Sequence, residues 1–166
     1  MTDPVIPNPI KQSQLQTGLS PQTSQQPKGQ TKGGMQGPVE IIRASAQKEI
    51  PGSDPEQIVK QIAVLVQRKT IQLLQLGNTV FVIYPQQDGS VEFHTFTTED
   101  PQTLAQRYKM GANSLKQMGF KKAVTYATSP AFVKIARQTG LPVQISQSMQ
   151  KIGNKTRKAY RFEVNL

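Results

Sequence analysis

No cysteine occurs in this chain, which excludes a disulfide framework, a thiolate metal site and a cysteine nucleophile. That usage is compatible with a reducing compartment. With His94 the single histidine, an imidazole metal cluster or a catalytic triad would have to be built around that residue alone. No apolar run approaches the length that spans a bilayer, and the start MTDPVIPNPI has neither a basic n-region nor an apolar h-region. The expectation is a soluble, unprocessed protein, cytoplasmic unless carried elsewhere by an assembly, with no membrane partner. The most consequential absence is of acid: between Pro101 and Phe162 there is no Asp and no Glu.

Into that acid-free stretch fall Arg107, Lys109, Lys116, Lys121, Lys122, Lys134, Arg137, Lys151, Lys155, Arg157, Lys158 and Arg161, in a chain of formal net charge +10. Unbalanced charge over such a length makes one half of the domain a source of positive potential. A polyanion or an acidic protein surface is the expected neighbour, with Lys109, Lys116, Lys121, Lys122, Lys134, Arg137, Lys151, Lys155, Arg157, Lys158 and Arg161 as the candidate contacts. The competing reading is a solvated face that serves only solubility.

The length of 166 residues has room for one domain and a tail. Residues 1–38 are rich in Gln, Pro, Ser, Thr and Gly, and Pro4, Pro7, Pro9, Pro21, Pro27 and Pro38 interrupt any regular pattern. Such a segment cannot bury enough apolar surface to offset its ordering entropy, so an extended, disordered arm is expected. Val5, Ile6, Ile10, Leu15 and Leu19 are its candidate anchors on a partner; an inert tail is the alternative. The domain is expected over 39–166.

Within it, VEIIRAS predicts a first strand from Val39, closed by Pro51-Gly52. A helix follows, with Asp54 as N-cap, Pro55 at its first position and Gly77 as its stop. Ile58, Ile62, Leu65, Val66, Leu73 and Leu74 recur at helical spacing along it, with a break near Thr70-Ile71. TVFVIY (Thr79 to Tyr84) predicts a buried strand, Asp88-Gly89 a turn, and SVEFHTFT (Ser90 to Thr97) its antiparallel partner. A helix is expected from Pro101 to Met118, capped by Thr98 or Asp100 and ended by Gly119. Lys122 to Ala127 is a strand, Ser129-Pro130 opens a short helix ended by Gly140, and Leu141 to Ser146 and Lys158 to Val164 are strands joined by the basic loop Lys151 to Lys155.

The segment LKQMGFKKAVTYATSPAFVKIARQTGLPVQIS, Leu115 to Ser146, together with this element order, resembles the GNAT acyltransferase superfamily. The resemblance covers about 39–166 and implies an α/β (α+β) domain, a mixed, mostly antiparallel sheet with flanking helices. In that family a Gly-rich loop before the helix that follows the hairpin presents backbone N–H groups to the pyrophosphate of coenzyme A. Here the place holds Thr97-Thr98-Glu99-Asp100-Pro101: no glycine, a proline without an N–H, and two carboxylates where an anion should sit. The family's usual general acid, a tyrosine four residues before the Gly of a Gly-hydrophobe pair, falls at Ala136, which has no proton to donate.

Glu92 and His94 share one face of their strand and could act as a base, although a half-exposed strand histidine beside a carboxylate is the reading favoured over it. Glu99 and Asp100 suit a helix cap better than a shared proton. No Ser-His-Asp arrangement, phosphate-binding loop or zinc spacing occurs. Tyr108, Phe120, Tyr126 and Phe132 read as core residues, not as stacking platforms. The expectation is therefore a non-enzymatic structural or interaction protein, without catalytic, cofactor or metal residues. Its resemblance to degenerate GNAT-like proteins of bacteriophage particles implies a virion component (capsid, tail or internal core) that docks in multiple copies through its arm and basic face onto other structural proteins, with DNA contacted through phosphates. The alternatives are an acyl-coenzyme A-dependent N-acetyltransferase and a sequence-neutral nucleic-acid-binding protein.

Overall fold

The computed structural model describes residues 34–50, 52–152 and 154–166, the Ile152 side chain excepted. Val5, Ile6, Ile10, Leu15 and Leu19 lie outside the described residues. Four helices and six strands follow one another as α1 (Pro38–Glu49), α2 (Pro55–Gln67), β1 (Gln72–Leu76), β2 (Thr79–Pro85), β3 (Ser90–Thr97), α3 (Pro101–Gln117), β4 (Lys122–Ala127), α4 (Ala131–Gln138), β5 (Gln144–Ile152) and β6 (Lys155–Asn165) among the described residues. The strands form one sheet of order β1-β2-β3-β4-β6-β5. Its β1/β2, β4/β6 and β5/β6 pairs are antiparallel and its β3/β4 pair is parallel. The described residues group into two compact units, one of 34–83 with Thr95–Glu99, the other of Tyr84–His94 with Asp100–Leu166.

In the first unit, the segment expected as an opening strand is helix α1. Gly37 is its N-cap and Pro38 its first residue, where the missing N–H costs nothing. Ile41, Ile42, Ser45 and Ala46 are buried, a spacing that only a helical face produces. α2 starts as expected, with Asp54 Oδ1 accepting the Glu56 N–H at 3.0 Å and Pro55 next to it. Arg43 Nε of α1 donates to Glu56 Oε1 of α2.

The expected run of α2 to Gly77 is corrected: the helix ends at Gln67. Lys69 takes a left-handed φ of 57°. Its N–H bonds to Val66 O at 2.9 Å, and the Thr70 N–H bonds to Leu65 O at 3.0 Å. That is a Schellman closure with a lysine where glycine is usual. A left-handed non-glycine residue costs about 1 kcal/mol. Lys69→Gly should therefore raise the urea midpoint by about 1 kcal/mol equivalent, and a loss of stability would show that the lysine side chain contributes more than its backbone costs.

Leu73 and Leu74, expected on that helix, lie in β1. The strand turns back into β2 with Leu76 opposite Thr79. Gly77 has φ 60° while Asn78 keeps an ordinary negative φ, the pattern of a type II′ hairpin. β2 then supplies Val80, Phe81, Val82 and Ile83, all buried.

In the second unit the expected elements recur with shifted bounds: the strand expected from Leu141 starts at Gln144, and the short helix starts at Ala131 with Pro130 as its N-cap. Asp88 takes the Ser90 N–H and hydroxyl at 2.9 and 2.6 Å, and Gly89 completes the turn at φ 83°. Leu104 and Ala105 of α3 and Ile135 of α4 form a buried cluster with Tyr108 and Phe132 packed on it, as expected of core aromatics. The expected basic loop, Lys151 to Lys155, is corrected: β5 and β6 stay paired out to Ile152 and Lys155, so both lysines are strand residues.

Candidate functional site

The loop that would have to receive an anion is closed by the chain's own groups. In α3, Asp100 is the N-cap; its Oδ1 accepts the Thr103 N–H at 2.9 Å and its Oδ2 accepts the Thr103 hydroxyl at 2.7 Å. The Leu104 N–H is already used by Asp100 O at 2.9 Å, and Pro101 has no N–H. Hydrogen bonds from Thr103 hold the Asp100 carboxyl below its ordinary value, with the Gln102 N–H contributing as well. Of the N–H groups at this helix start, that of Thr103 is thus taken by an ionised side chain, that of Leu104 by the Asp100 carbonyl, and Pro101 offers none.

In the other unit Glu99 is tied down as firmly. Its Oε1 accepts the Asn78 N–H at 3.2 Å and its Oε2 accepts the Thr79 hydroxyl at 2.7 Å. Thr79 is fully buried, and its hydroxyl also meets Thr97 Oγ1 at 2.7 Å. The Thr97 N–H donates to Ser45 Oγ of α1 at 3.1 Å. Gln36, just before α1, donates its N–H to Asn78 Oδ1 at 2.9 Å and accepts the Thr98 hydroxyl at 2.7 Å. The β1/β2 turn and the residues preceding α1 therefore clamp 97–99. Asn78 and Thr79 were not candidates in the sequence, because nothing local marks a turn as the partner of a carboxylate some 20 residues on.

Glu92 and His94 do share a face, but at 3.8 Å between Oε1 and Nε2 they are a loose pair. Tyr84 meets the His94 ring edge-on at 5.3 Å between centroids. Partial burial pushes the imidazole below its ordinary value, and the Glu92 charge pulls it part of the way back. The parallel β3/β4 register runs to Glu92, and the Thr125 hydroxyl of β4 donates to Phe93 O at 2.7 Å just beyond it. Ala136 sits on α4, half-buried, with its carbonyl accepting the Thr139 hydroxyl at 2.6 Å.

The cations spread over several elements. Lys109 and Lys116 are exposed on α3, two turns apart; Lys134 and Arg137 are exposed on α4, one turn apart. Lys121 precedes β4 and Lys122 opens it. Lys122 and Arg161 are held by Glu163, one residue past the acid-free stretch, at 3.2 and 2.5 Å. Arg161 first and then Lys122 keep the Glu163 carboxyl below its ordinary value. Lys151 on β5 and Lys155, Arg157 and Lys158 on β6 are exposed, and none has an ion-pair partner among the described residues. No group of three His, Asp or Glu is arranged to hold a metal ion among the described residues, and no helix there is long and apolar enough to cross a membrane.

No family model matches the sequence, and no curated protein does. Solved structures do match. A variant of the spermidine N-acetyltransferase SpeG from Vibrio cholerae aligns over 76% of this chain and 89% of its own, at 8% identity and a TM-score of 0.58. A probable GNAT-family acetyltransferase from Chromobacterium violaceum aligns over 76% and 80%, at 15% identity and TM-score 0.57. YncA from Salmonella typhimurium, solved with its cofactor acetyl-coenzyme A, aligns over 77% and 86%, at 9% identity and TM-score 0.54. The chain has a GNAT-like fold.

Proposed function

We propose that this chain is a non-catalytic interaction module built on a GNAT-like fold. One observation carries the reading: the start of α3, where the fold would offer N–H groups to a pyrophosphate, is capped by Asp100 and begins with Pro101. An incoming pyrophosphate would meet the Asp100 carboxylate and few free donors, and like charges brought together oppose binding. The residues present do not fit coenzyme A. On this reading the exposed cations and the segment ahead of Gln36, which with Gly37 and Pro38 is already part of the domain, serve docking onto structural proteins of a larger assembly, such as a viral particle, in which the chain occurs in multiple copies.

A second reading, an acyl-coenzyme A-dependent N-acetyltransferase, draws on the fold neighbours, which are acetyltransferases and include one solved with acetyl-coenzyme A. It requires that the coenzyme be held without the loop. Calorimetric titration of the full chain with acetyl-coenzyme A separates the two. The expected result is no saturable heat, a Kd weaker than about 1 mM or less than about 4 kcal/mol of binding. Saturable binding in the micromolar range would overturn the proposal and restore the enzyme.

A further inference from the structure

Beyond Ala127↔Tyr160 the chain's last hairpin leaves β4 behind. Over Ser148–Ile152 and Lys155–Ala159, β5 and β6 pair only with each other, and β5 forms an edge of the sheet. At a rise of about 3.3 Å per residue this two-stranded ribbon is roughly 16 Å long. Lys151, Lys155, Arg157 and Lys158 stand on it, all exposed, together with Met149 at 59% exposure. The hairpin's own acid, Glu163, lies at its base and is taken up by Lys122 and Arg161. Charge is therefore neutralised near the sheet and unpaired along the ribbon.

The register decides which partner this suits. Lys155 lies opposite Ile152 and Arg157 opposite Gln150, on one face; Lys151 lies opposite Thr156 and Lys158 opposite Met149, on the other. A flat acidic protein surface would meet one face and leave the cations of the other in water. A groove with phosphates on both walls uses both. The major groove of B-form DNA, about 12 Å wide, admits a two-stranded ribbon, whereas that of duplex RNA is too deep and narrow. Single strands are held largely by aromatic stacking, and residues 148–159 contain no aromatic side chain.

We infer that the β5/β6 ribbon enters the major groove of duplex DNA and grips it through phosphate contacts from Lys151, Lys155, Arg157 and Lys158, with little dependence on sequence. None of the ribbon's cations belongs to the α3 loop, so this inference holds whichever way coenzyme binding turns out. Phosphate contacts position the chain without selecting bases, so affinity comes from counterion release.

The test is fluorescence polarisation of a labelled 20-base-pair mixed-sequence DNA duplex with the full chain between roughly 50 and 200 mM salt. Four neutralised phosphates give a log–log slope of about −3.6, an affinity loss on the order of 100-fold over that range. Lys151→Gln, Lys155→Gln, Arg157→Gln and Lys158→Gln together should flatten the slope, and each face's pair alone should remove about half of it. Those pairs keep the test alive should the quadruple variant fold poorly. A charge-matched variant at Lys109, Lys116, Lys134 and Arg137 should keep the slope, and methyl green, which occupies the major groove, should displace the protein where the minor-groove ligand netropsin does not. An equal loss in the charge-matched variant, no retention of DNA at the lowest salt, displacement by netropsin alone, or equal affinity for duplex RNA or polyglutamate would each overturn the assignment, the last in favour of an acidic protein partner.

Discussion

Leu74→Ala lowers the unfolding free energy by about 2–5 kcal/mol, the range for deleting a buried leucine side chain whose site collapses only in part. Leu74 is 1% exposed in β1, opposite Phe81 of β2, and its chain neighbours Leu73 and Gln72 are 4% and 5% exposed. Successive strand residues point to opposite faces, so burial of all three means that both faces of β1 are covered even though the strand is the last in the sheet order. Truncation cannot be relieved by tilting the side chain into solvent. For a protein of this size the thermal midpoint should fall by roughly 5–15 °C. Leu65→Ala in α2, where the side chain is only half-buried, is the comparison and should cost less than half as much. Equal losses at the two positions in urea denaturation would fit a single continuous helix through both residues and contradict the strand.

That pair of leucines also marks where sequence patterns stop being informative. α2, α3 and the β2/β3 hairpin were legible because each announces itself locally: Asp54-Pro55, Asp100-Pro101 and Asp88-Gly89 are side-chain caps and turn formers that act within a few residues. β1 carries no such mark. Buried on both faces, it lacks the alternation of a half-buried strand, and the helix before it ends on Lys69 in place of the glycine that normally signals a stop. In α1 the β-branched run Val39, Ile41 and Ile42 argues for a strand by local preference, and burial of a helical face overrides it. The outer halves of β5 and β6 were hidden for the opposite reason. With exposed polar residues on both faces they show no hydrophobic period at all. The cations of the candidate site were visible as composition, but their division into a neutralised pair at Glu163 and an unpaired set along the ribbon depends on strand register, which only the folded pairing defines.

The same dependence on long-range pairing decides what Glu99 does, and its replacement separates a structural carboxylate from a reactive one. Glu99→Ala should cost about 1–3 kcal/mol, because the Asn78 N–H loses its acceptor and the buried Thr79 hydroxyl keeps only Thr97 as a partner. Glu99→Gln should cost distinctly less. Its carbonyl oxygen can still accept from Asn78, and its amide can donate to Thr79 Oγ1, whose own proton then turns to Thr97 Oγ1. The ordering Ala worse than Gln is what a hydrogen-bonded clamp demands, since Gln keeps an acceptor for Asn78 and Ala does not. Asp100→Ala, measured beside them, should lose about 1 kcal/mol, the worth of an N-cap. If Glu99→Ala leaves the unfolding transition within about 0.5 kcal/mol of the parent, the size of an ordinary surface change, the carboxylate is not holding the β1/β2 turn.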